Sequence, residues 1–202
     1  MRPASTPARI RVNPVSADPA SVLPGWAAPA EQSPGPDWKF RIPNAEGPFL
    51  FRVTGLPDDW MLKTVTVGGR DITDVPLEVV RGGGDTEGVQ IVLTRKSATL
   101  AGEVVDARGT AAPGCTVIVF PEDRSRWGLA SRFIRSVRPD SRGRFSVAGL
   151  PPGLYRAAAR DAVVEGQWED PEFLELLLDG ASRVALEESS SATIALTLAE
   201  VR

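Results

Sequence analysis

The segment Phe51-Arg-Val-Thr-Gly-Leu-Pro57 recurs 94 residues further along the chain as Phe145-Ser-Val-Ala-Gly-Leu-Pro151. In each copy an apolar side chain occupies alternate positions, as in a half-buried β-strand, and a Gly-Leu-Pro turn follows. The spacing is too long for a solenoid repeat and close to the roughly 100 residues of one immunoglobulin-like sandwich. This repeated segment, which we call the echo, therefore predicts two similar β units in one chain.

Length and composition agree with two small β domains. A chain of 202 residues can bury two separate cores, and 19 glycines and 18 prolines suit short strands joined by tight turns. The net charge of −3 gives no reason to expect nucleic acid as a partner. No apolar run approaches the roughly 20 residues of a membrane span, so we expect no membrane insertion by this segment.

The chain divides, by this interpretation, into a disordered lead over residues 1–8, a divergent β-sandwich over 9–96 and a second β-sandwich over 98–202. The stretch 13–37 is dense in Pro, Ala, Ser and Gly and predicts a long loop around Trp26. Strands of the first domain are predicted at 9–12, 38–42, 49–53, 61–67, 70–80 and 89–93, the last two forming a hairpin through the glycine-rich loop 82–88. Strict alternation in the strand 61–67 would put Leu62 and Val65 on opposite faces.

In the second domain, strands are predicted at 99–105, 115–120, 133–137, 144–148, 154–159 and 193–198. The turn 139–143 is expected to join its two flanking strands in a hairpin. The echo extends to the final strands if Ile91 matches Ile194 and Leu93 matches Leu196.

One short inserted helix is predicted at about residues 171–179. Asp170 can cap its first turn, Pro171 suits the first helical position and Gly180 suits its end. The fold class expected is all-β, with two tandem immunoglobulin-like or prealbumin-like antiparallel β-sandwiches, the second carrying this helix.

Three motifs of the second half stand in a fixed order: Gly102-Glu-Val-Val-Asp-Ala-Arg-Gly109, then Pro113-Gly-Cys-Thr-Val117, then Asp140-Ser-Arg-Gly-Arg-Phe-Ser-Val-Ala-Gly-Leu-Pro-Pro-Gly-Leu-Tyr155. Together they resemble the carboxypeptidase regulatory-like domain family over residues 98–160. Weaker traces lie in 49–94, where the Asp-x-x-Gly turn is absent and Trp60 or Leu62 stands in place of Tyr155.

That resemblance implies a transthyretin-like or prealbumin-like β-sandwich, repeated in tandem at the C-terminal end of a longer bacterial protein. It also implies an extracytoplasmic location, in the periplasm, at the cell surface or secreted, although this chain begins with no signal peptide. The family is an accessory fold and contributes no catalytic residues. The partners implied are other domains of the parent chain.

The chemistry available to the chain is limited. It contains no histidine, which excludes Ser-His-Asp and Cys-His catalysis and His-based zinc sites. Its single cysteine, Cys115, excludes an intrachain disulfide and is expected to be buried and inert. We therefore predict no catalytic residue, cofactor or metal site. The Asp-rich turns carry no recognisable calcium-ligand spacing and leave calcium binding open.

One basic and aromatic cluster stands out as a candidate surface for a ligand or a partner protein. It combines two loop tryptophans with neighbouring arginines: Trp127, Trp168, Arg124, Arg126, Arg132 and Arg135. Exposed indoles stack on sugar faces and arginines bind acidic groups. The opposing interpretation is that the tryptophans dock against the helix and that the acidic stretch 165–179 neutralises the arginines.

Taken together, the sequence favours a non-enzymatic extracytoplasmic module that serves as a structural spacer or protein-interaction domain of a larger bacterial envelope or secreted protein. The alternative is a carbohydrate-binding module with a starch-binding-like β-sandwich that uses the loop tryptophans and arginines. A hydrolase based on carboxylates is the third hypothesis and the least favoured, because Asp58-Asp59 and Glu169-Asp170 abut a turn and a helix start.

Overall fold

The computed structural model describes residues 9–17 and 29–199. The chain forms two compact units, Met1–Arg95 and Lys96–Arg202, called unit 1 and unit 2 below. The described residues are predominantly β with one short α-helix, which confirms the all-β class. The predicted lead 1–8 and Trp26 lie outside the described residues.

Unit 1 contains two three-stranded antiparallel sheets in its described part, with orders β1-β2-β5 and β4-β3-β6. Both sheets contribute side chains to one core, which includes Phe51, Val65 and Ile72. Its strands are β1 Arg11–Ser16, β2 Gly47–Thr54, β3 Met61–Val67, β4 Arg70–Asp71, β5 Leu77–Val79 and β6 Gln90–Thr94.

Two strand predictions for unit 1 are wrong. Residues 38–42 form no strand, because Trp38 adopts a left-handed φ of 64°, and Phe40 and Ile42 reach the core from irregular chain. The predicted strand 70–80 is two strands in different sheets. Between them the Asp71 carboxylate accepts the Thr73 N–H at 2.8 Å in a local turn that bends the chain away from β4.

The predicted hairpin around the loop 82–88 is also wrong, since β5 pairs with β2 and β6 pairs with β3. The strict alternation expected for β3 fails as well. The register shifts between Leu62 and Thr64, and this bulge brings both Leu62 and Val65 into the core.

Unit 2 is built on one connected sheet whose described strands run β10-β7-β13-β11-β8-β9, with β12 paired to β11. Most pairs are antiparallel, but β13 runs parallel to both β7 and β11, which the expectation of purely antiparallel sandwiches missed. The strands are β7 Ala98–Val105, β8 Thr116–Pro121, β9 Arg135–Val137, β10 Arg144–Leu150, β11 Gly153–Arg160, β12 Ser182–Leu186 and β13 Ser191–Ala199.

Strand β8 is buried on both faces and contributes side chains to two apolar clusters of unit 2. Val117 and Val119 enter a core shared with β7, β10, β11, β12 and β13. Ile118 and Phe120 enter a second cluster, called the outer cluster, which Leu174 of the helix covers. A continuous apolar run such as 115–120 is typical of a strand covered on both sides.

The predicted helix is confirmed as α1 Pro171–Leu177, followed by a 3₁₀ turn over Leu178–Gly180. The Asp170 side chain accepts the Glu172 N–H at 2.9 Å, and proline occupies the first turn. Leu174 and Leu177 are buried, so the apolar face of α1 packs on the sheet as the sequence pattern requires.

Two pairing predictions for unit 2 are wrong. The strands 133–137 and 144–148 do not form a hairpin, because β9 pairs with β8 and β10 pairs with β7. The match of Ile91 to Ile194 also fails, since β6 runs antiparallel to β3 whereas β13 runs parallel to β11. The antiparallel neighbour of β11 on that side is β12, which the sequence analysis did not predict.

The two copies of the echo share one backbone feature at their glycine. Gly55 and Gly149 both adopt a left-handed φ, of 70° and 73°, at the end of β2 and within β10. A Cβ atom at Gly55 would lie 1.8 Å from the Arg9 carbonyl oxygen, so this position requires glycine.

Candidate functional site

The predicted ligand surface lies mainly in the segment between β8 and β9. The Asp123 side chain accepts hydrogen bonds from the Ser125 hydroxyl at 2.6 Å and the Ser125 N–H at 3.1 Å, which fixes a 3₁₀ turn over Arg124–Arg126. These two bonds lower the pKa of Asp123. The turn leaves Arg124 and Arg126 exposed.

Two of the predicted arginines stack on one phenylalanine. The guanidinium carbons of Arg126 and Arg132 lie 4.5 Å and 4.6 Å from the centroid of the Phe133 ring. Phe133 is buried in the core that β8 shares with β7, β10, β11, β12 and β13, and the two cations lie over its ring. Both arginines were predicted as part of the candidate surface, whereas Phe133 was predicted only as part of the strand 133–137.

Arg135 and Tyr155 lie beside this stack. The Arg135 guanidinium donates to the Ile134 carbonyl at 2.9 Å, and burial lowers the pKa of Arg135. The Tyr155 hydroxyl donates to the Pro151 carbonyl at 2.7 Å. Burial raises the pKa of Tyr155, while the positive charges of nearby arginines act in the opposite direction.

Acidic side chains pair with two of the arginines. Arg124 contacts Glu175 of α1 at 2.6 Å, and Arg126 contacts Asp123 at 3.2 Å. The first pair supports the interpretation that the acidic stretch 165–179 balances the basic cluster. Both pairs are largely exposed, so each contributes little to stability.

Trp127 is fixed to the scaffold. Its indole N–H donates to the Pro121 carbonyl at 2.7 Å, and its ring meets Phe120 edge to face with centroids 5.8 Å apart. The Arg124 guanidinium lies 5.7 Å from the centroid of the same ring. Trp127 therefore has contacts on several sides and packs against the outer cluster.

Trp168 lies on a short 3₁₀ turn, Gln167–Glu169, and also packs against the outer cluster. It lines a cleft of about 170 Å³ whose polar members include Ser136, Arg138 and Glu165. The structure thus brings both predicted tryptophans to one apolar cluster. It places Trp168 beside Arg138, which was not among the predicted ligand-surface residues.

A further charged cluster was missed by sequence reasoning. One carboxylate oxygen of Glu122 lies 2.7 Å from Nε of Arg156 and 2.8 Å from Nε of Arg183. Both contacts are charge pairs rather than directed hydrogen bonds, and Arg156 is the more buried of the two arginines. Glu122 follows β8, and its partners lie on β11 and β12, so only the strand order could have revealed this arrangement.

The two Asp-x-Arg-Gly motifs of unit 2 form the same kind of turn. Asp106 accepts the N–H groups of Arg108 and Thr110, each at 2.8 Å. Asp140 accepts those of Arg142 and Arg144 at 2.8 Å and 2.9 Å, and these bonds lower the pKa of Asp140. The motif therefore encodes a carboxylate-capped turn.

Within the described residues, no group of three or more Cys, Asp or Glu side chains is arranged to hold a metal ion. Over the same residues, no helix has the length and apolar character to cross a membrane. Cys115 is buried, as predicted, and its thiol contacts the Ala112 carbonyl at 3.1 Å. Desolvation raises the pKa of Cys115, which keeps the thiol protonated.

No protein-family model matches the chain, and no curated protein matches it. Among solved structures, it is similar to the TIE protein of Bacillus anthracis (13% identity, 96% of this chain and 32% of that one, TM-score 0.34). It is also similar to a candidate carbohydrate-binding protein of Pseudomonas aeruginosa (15% identity, 50% of this chain and 88% of that one, TM-score 0.29). A third similar structure is the major pilin subunit of Bacillus cereus (9% identity, 69% of this chain and 56% of that one, TM-score 0.34).

The chain spans about a third of the length of the Bacillus anthracis protein. Other solved structures that match include catechol 1,2-dioxygenases, so the similarities extend over structural proteins and enzymes. At TM-scores this low, none of them indicates a function.

Proposed function

We propose that this chain is a non-enzymatic pair of β-sandwich modules that serves as a structural spacer or protein-interaction segment of a larger extracytoplasmic bacterial protein. The observation that carries the proposal is the use of charged groups in unit 2. Asp106 and Asp140 close turns, and Glu122 joins three neighbouring strands through Arg156 and Arg183. Charged side chains with these structural partners stabilise the fold rather than the transition state of a reaction.

The layered cores support the sandwich architecture. In unit 1, two three-stranded sheets share one core, and in unit 2 the group β10-β7-β13 shares a core with the group β12-β11-β8-β9. The assignment of unit 2 to the carboxypeptidase regulatory-like family is supported by its Asp-x-x-Gly turns and by the contact of Tyr155 with the Gly-Leu-Pro-Pro-Gly segment. That assignment supports the extracytoplasmic location.

A second candidate function is carbohydrate binding at the Trp168 cleft. The observation that favours it is the proximity of an aromatic ring to hydrogen-bonding groups, Ser136, Arg138 and Glu165, in a concave site of about 170 Å³. Sugar sites combine these elements. Trp127 is a weaker candidate because its indole N–H is already bonded to the Pro121 carbonyl.

Surface labelling of the source bacterium tests the location that the proposal requires. Antibodies raised against this chain are expected to label intact cells or cells whose outer membrane alone is permeabilised, or to detect the chain in the medium, with an antibody to a cytoplasmic enzyme as the negative control. Labelling that appears only after the cytoplasmic membrane is also permeabilised would contradict an extracytoplasmic module.

Titration of the chain with a panel of neutral and acidic oligosaccharides separates the two candidate functions. The spacer proposal expects no saturable binding. Binding that is lost in Trp168→Ala but retained in Trp127→Ala, with both variants folded, would establish the cleft as a sugar site instead.

A further inference from the structure

The first strand of unit 2 and its last described strand lie side by side. β7 begins two residues after the boundary at Lys96, and β13 pairs with it in parallel over seven positions, from Thr99↔Ser191 to Val105↔Thr197. We call this pairing the terminal ladder. The hydrogen bonds of a parallel ladder are evenly spaced along the strands.

The parallel direction determines how tension acts on the terminal ladder. The point where the chain enters β7 and the point where it leaves β13 lie at opposite ends of the ladder. Tension between these two points slides one strand past the other and loads all of the ladder bonds together. Tension between two points at the same end would instead break the bonds one after another.

Neither strand of the terminal ladder is at an edge of the described sheet. The far side of β7 pairs with β10. The last residues of β13, Leu198 and Ala199, pair with β11. The strands are also anchored by core side chains, since Leu100 and Val104 of β7 and Leu196 of β13 are buried. Withdrawal of either strand therefore breaks additional hydrogen bonds and exposes apolar surface at the same moment.

The two strands approach closely at the middle of the ladder. A Cβ atom added to Gly102 would lie 2.1 Å from the Ile194 carbonyl oxygen, so glycine permits the contact. At the start of the ladder, Lys96 Nζ lies 2.9 Å from a carboxylate oxygen of Glu188, which precedes β13. The residues that precede the two strands are therefore neighbours.

Unit 1 has no equivalent ladder in its described part. Its first described strand, β1, belongs to the sheet β1-β2-β5, and its last, β6, belongs to the sheet β4-β3-β6. Tension along the chain would therefore act on unit 1 without a direct ladder between its first and last strands.

We propose that unit 2 is a force-bearing module, in which the terminal ladder acts as a shear clamp against tension transmitted along the chain. This inference rests on the proposed spacer function and requires attached segments on both sides of unit 2, in place of the C-terminal position in the parent protein that the family resemblance implies. The input to which the clamp responds is mechanical load, and no small molecule is required.

Single-molecule stretching of the full chain from two pairs of attachment points tests the clamp. Handles on Ser97→Cys and Ala199→Cys load the ladder in shear, whereas handles on Ser97→Cys and Ser189→Cys load it from one end and leave the Lys96–Glu188 pair in place. Cys115 is buried and does not compete for the handles. If Ala199→Cys lowers the thermal midpoint, Thr197→Cys, whose side chain is exposed, gives the same direction of pull.

The clamp predicts a higher unfolding force in shear than in one-end loading, because the evenly spaced bonds share the load only in shear. Each event should release roughly 100 residues in shear, a contour length of about 350 Å. Equal forces in the two geometries would overturn the clamp. That result would leave the spacer proposal standing, since surface labelling tests the spacer independently.

Discussion

The Tyr155 hydroxyl donates a 2.7 Å hydrogen bond to the Pro151 carbonyl and so ties β11 to the turn that precedes it. In unit 1 the matching carbonyl, that of Pro57, accepts the backbone N–H of Trp60 at 2.8 Å. The two copies of the echo thus keep a hydrogen bond to the same proline carbonyl but use different donors. This explains how unit 1 retains the turn without a tyrosine.

Tyr155→Phe is expected to lower the free energy of unfolding of unit 2 by about 1–2 kcal/mol, because the variant leaves a buried carbonyl without its donor. Urea denaturation measures the change. Leu154→Ala is the matched control on the neighbouring residue, whose side chain is 60% exposed, and should have a smaller effect. Equal stability of Tyr155→Phe and the unaltered chain would show that the hydrogen bond is unimportant.

The same residue gives a pH prediction, since Tyr155 is the single tyrosine of the chain. Burial raises its pKa above the ordinary value of 10.0, so the phenol contributes stability below that pH and loses it as the pH rises toward the folded pKa. Tyrosinate absorbance should therefore appear only together with unfolding. Reversible ionisation near pH 10 in the folded chain would contradict the buried position.

Asp140 gives the opposite pH dependence. Hydrogen bonds from the N–H groups of Arg144 and Arg142 lower its pKa from 3.8, so its contribution to stability is present above that pH and is lost as the pH falls through the folded pKa. Asp140→Asn should be less stable than the unaltered chain at pH 7, and the difference should shrink below about pH 4. Thermal midpoints measured across this range test the prediction.

Asp140→Ala separates the charge from the turn geometry, because alanine removes the acceptor oxygen that asparagine retains. We expect it to be the less stable of the two variants at every pH. A difference between Asp140→Asn and the unaltered chain that is independent of pH would rule out the ionised carboxylate as the cause.

Gly102→Ala is expected to destabilise unit 2 by about 1–3 kcal/mol, because the added methyl group overlaps the Ile194 carbonyl within the terminal ladder. Gly114→Ala is the matched control, since a Cβ atom there meets no atom within 4 Å. Chemical denaturation of the two variants makes the comparison. Equal stabilities would mean that β7 and β13 approach less closely than the structure shows.

Much of the local structure could be predicted from the sequence, because short motifs determine it. The Asp170-Pro171 cap predicted α1, the segment 139–143 predicted a turn, and the apolar run 115–120 predicted a buried strand. Pairing partners could not be predicted in the same way. Short strands with similar alternation fit several neighbours, so β9 and β10 were wrongly joined in a hairpin, and the parallel course of β13 was missed.

The candidate site, too, could be predicted only in part from the sequence. Its arginines and tryptophans could be identified from composition, but their roles depend on contacts with residues distant in the sequence. Arg124 meets Glu175 of the helix, and Trp127 donates to Pro121 and packs on the outer cluster. A loop of this kind has no periodicity from which such contacts could be inferred.

End-to-end stretching of the unaltered chain tests the central claim, that this is a two-unit spacer whose second unit bears load. We predict two separate unfolding events. The weaker should come from unit 1 and release about 300 Å, and the stronger should come from unit 2 and release about 350 Å, from roughly 85 and 100 residues. A single event, or a stronger event with the shorter length, would contradict the account.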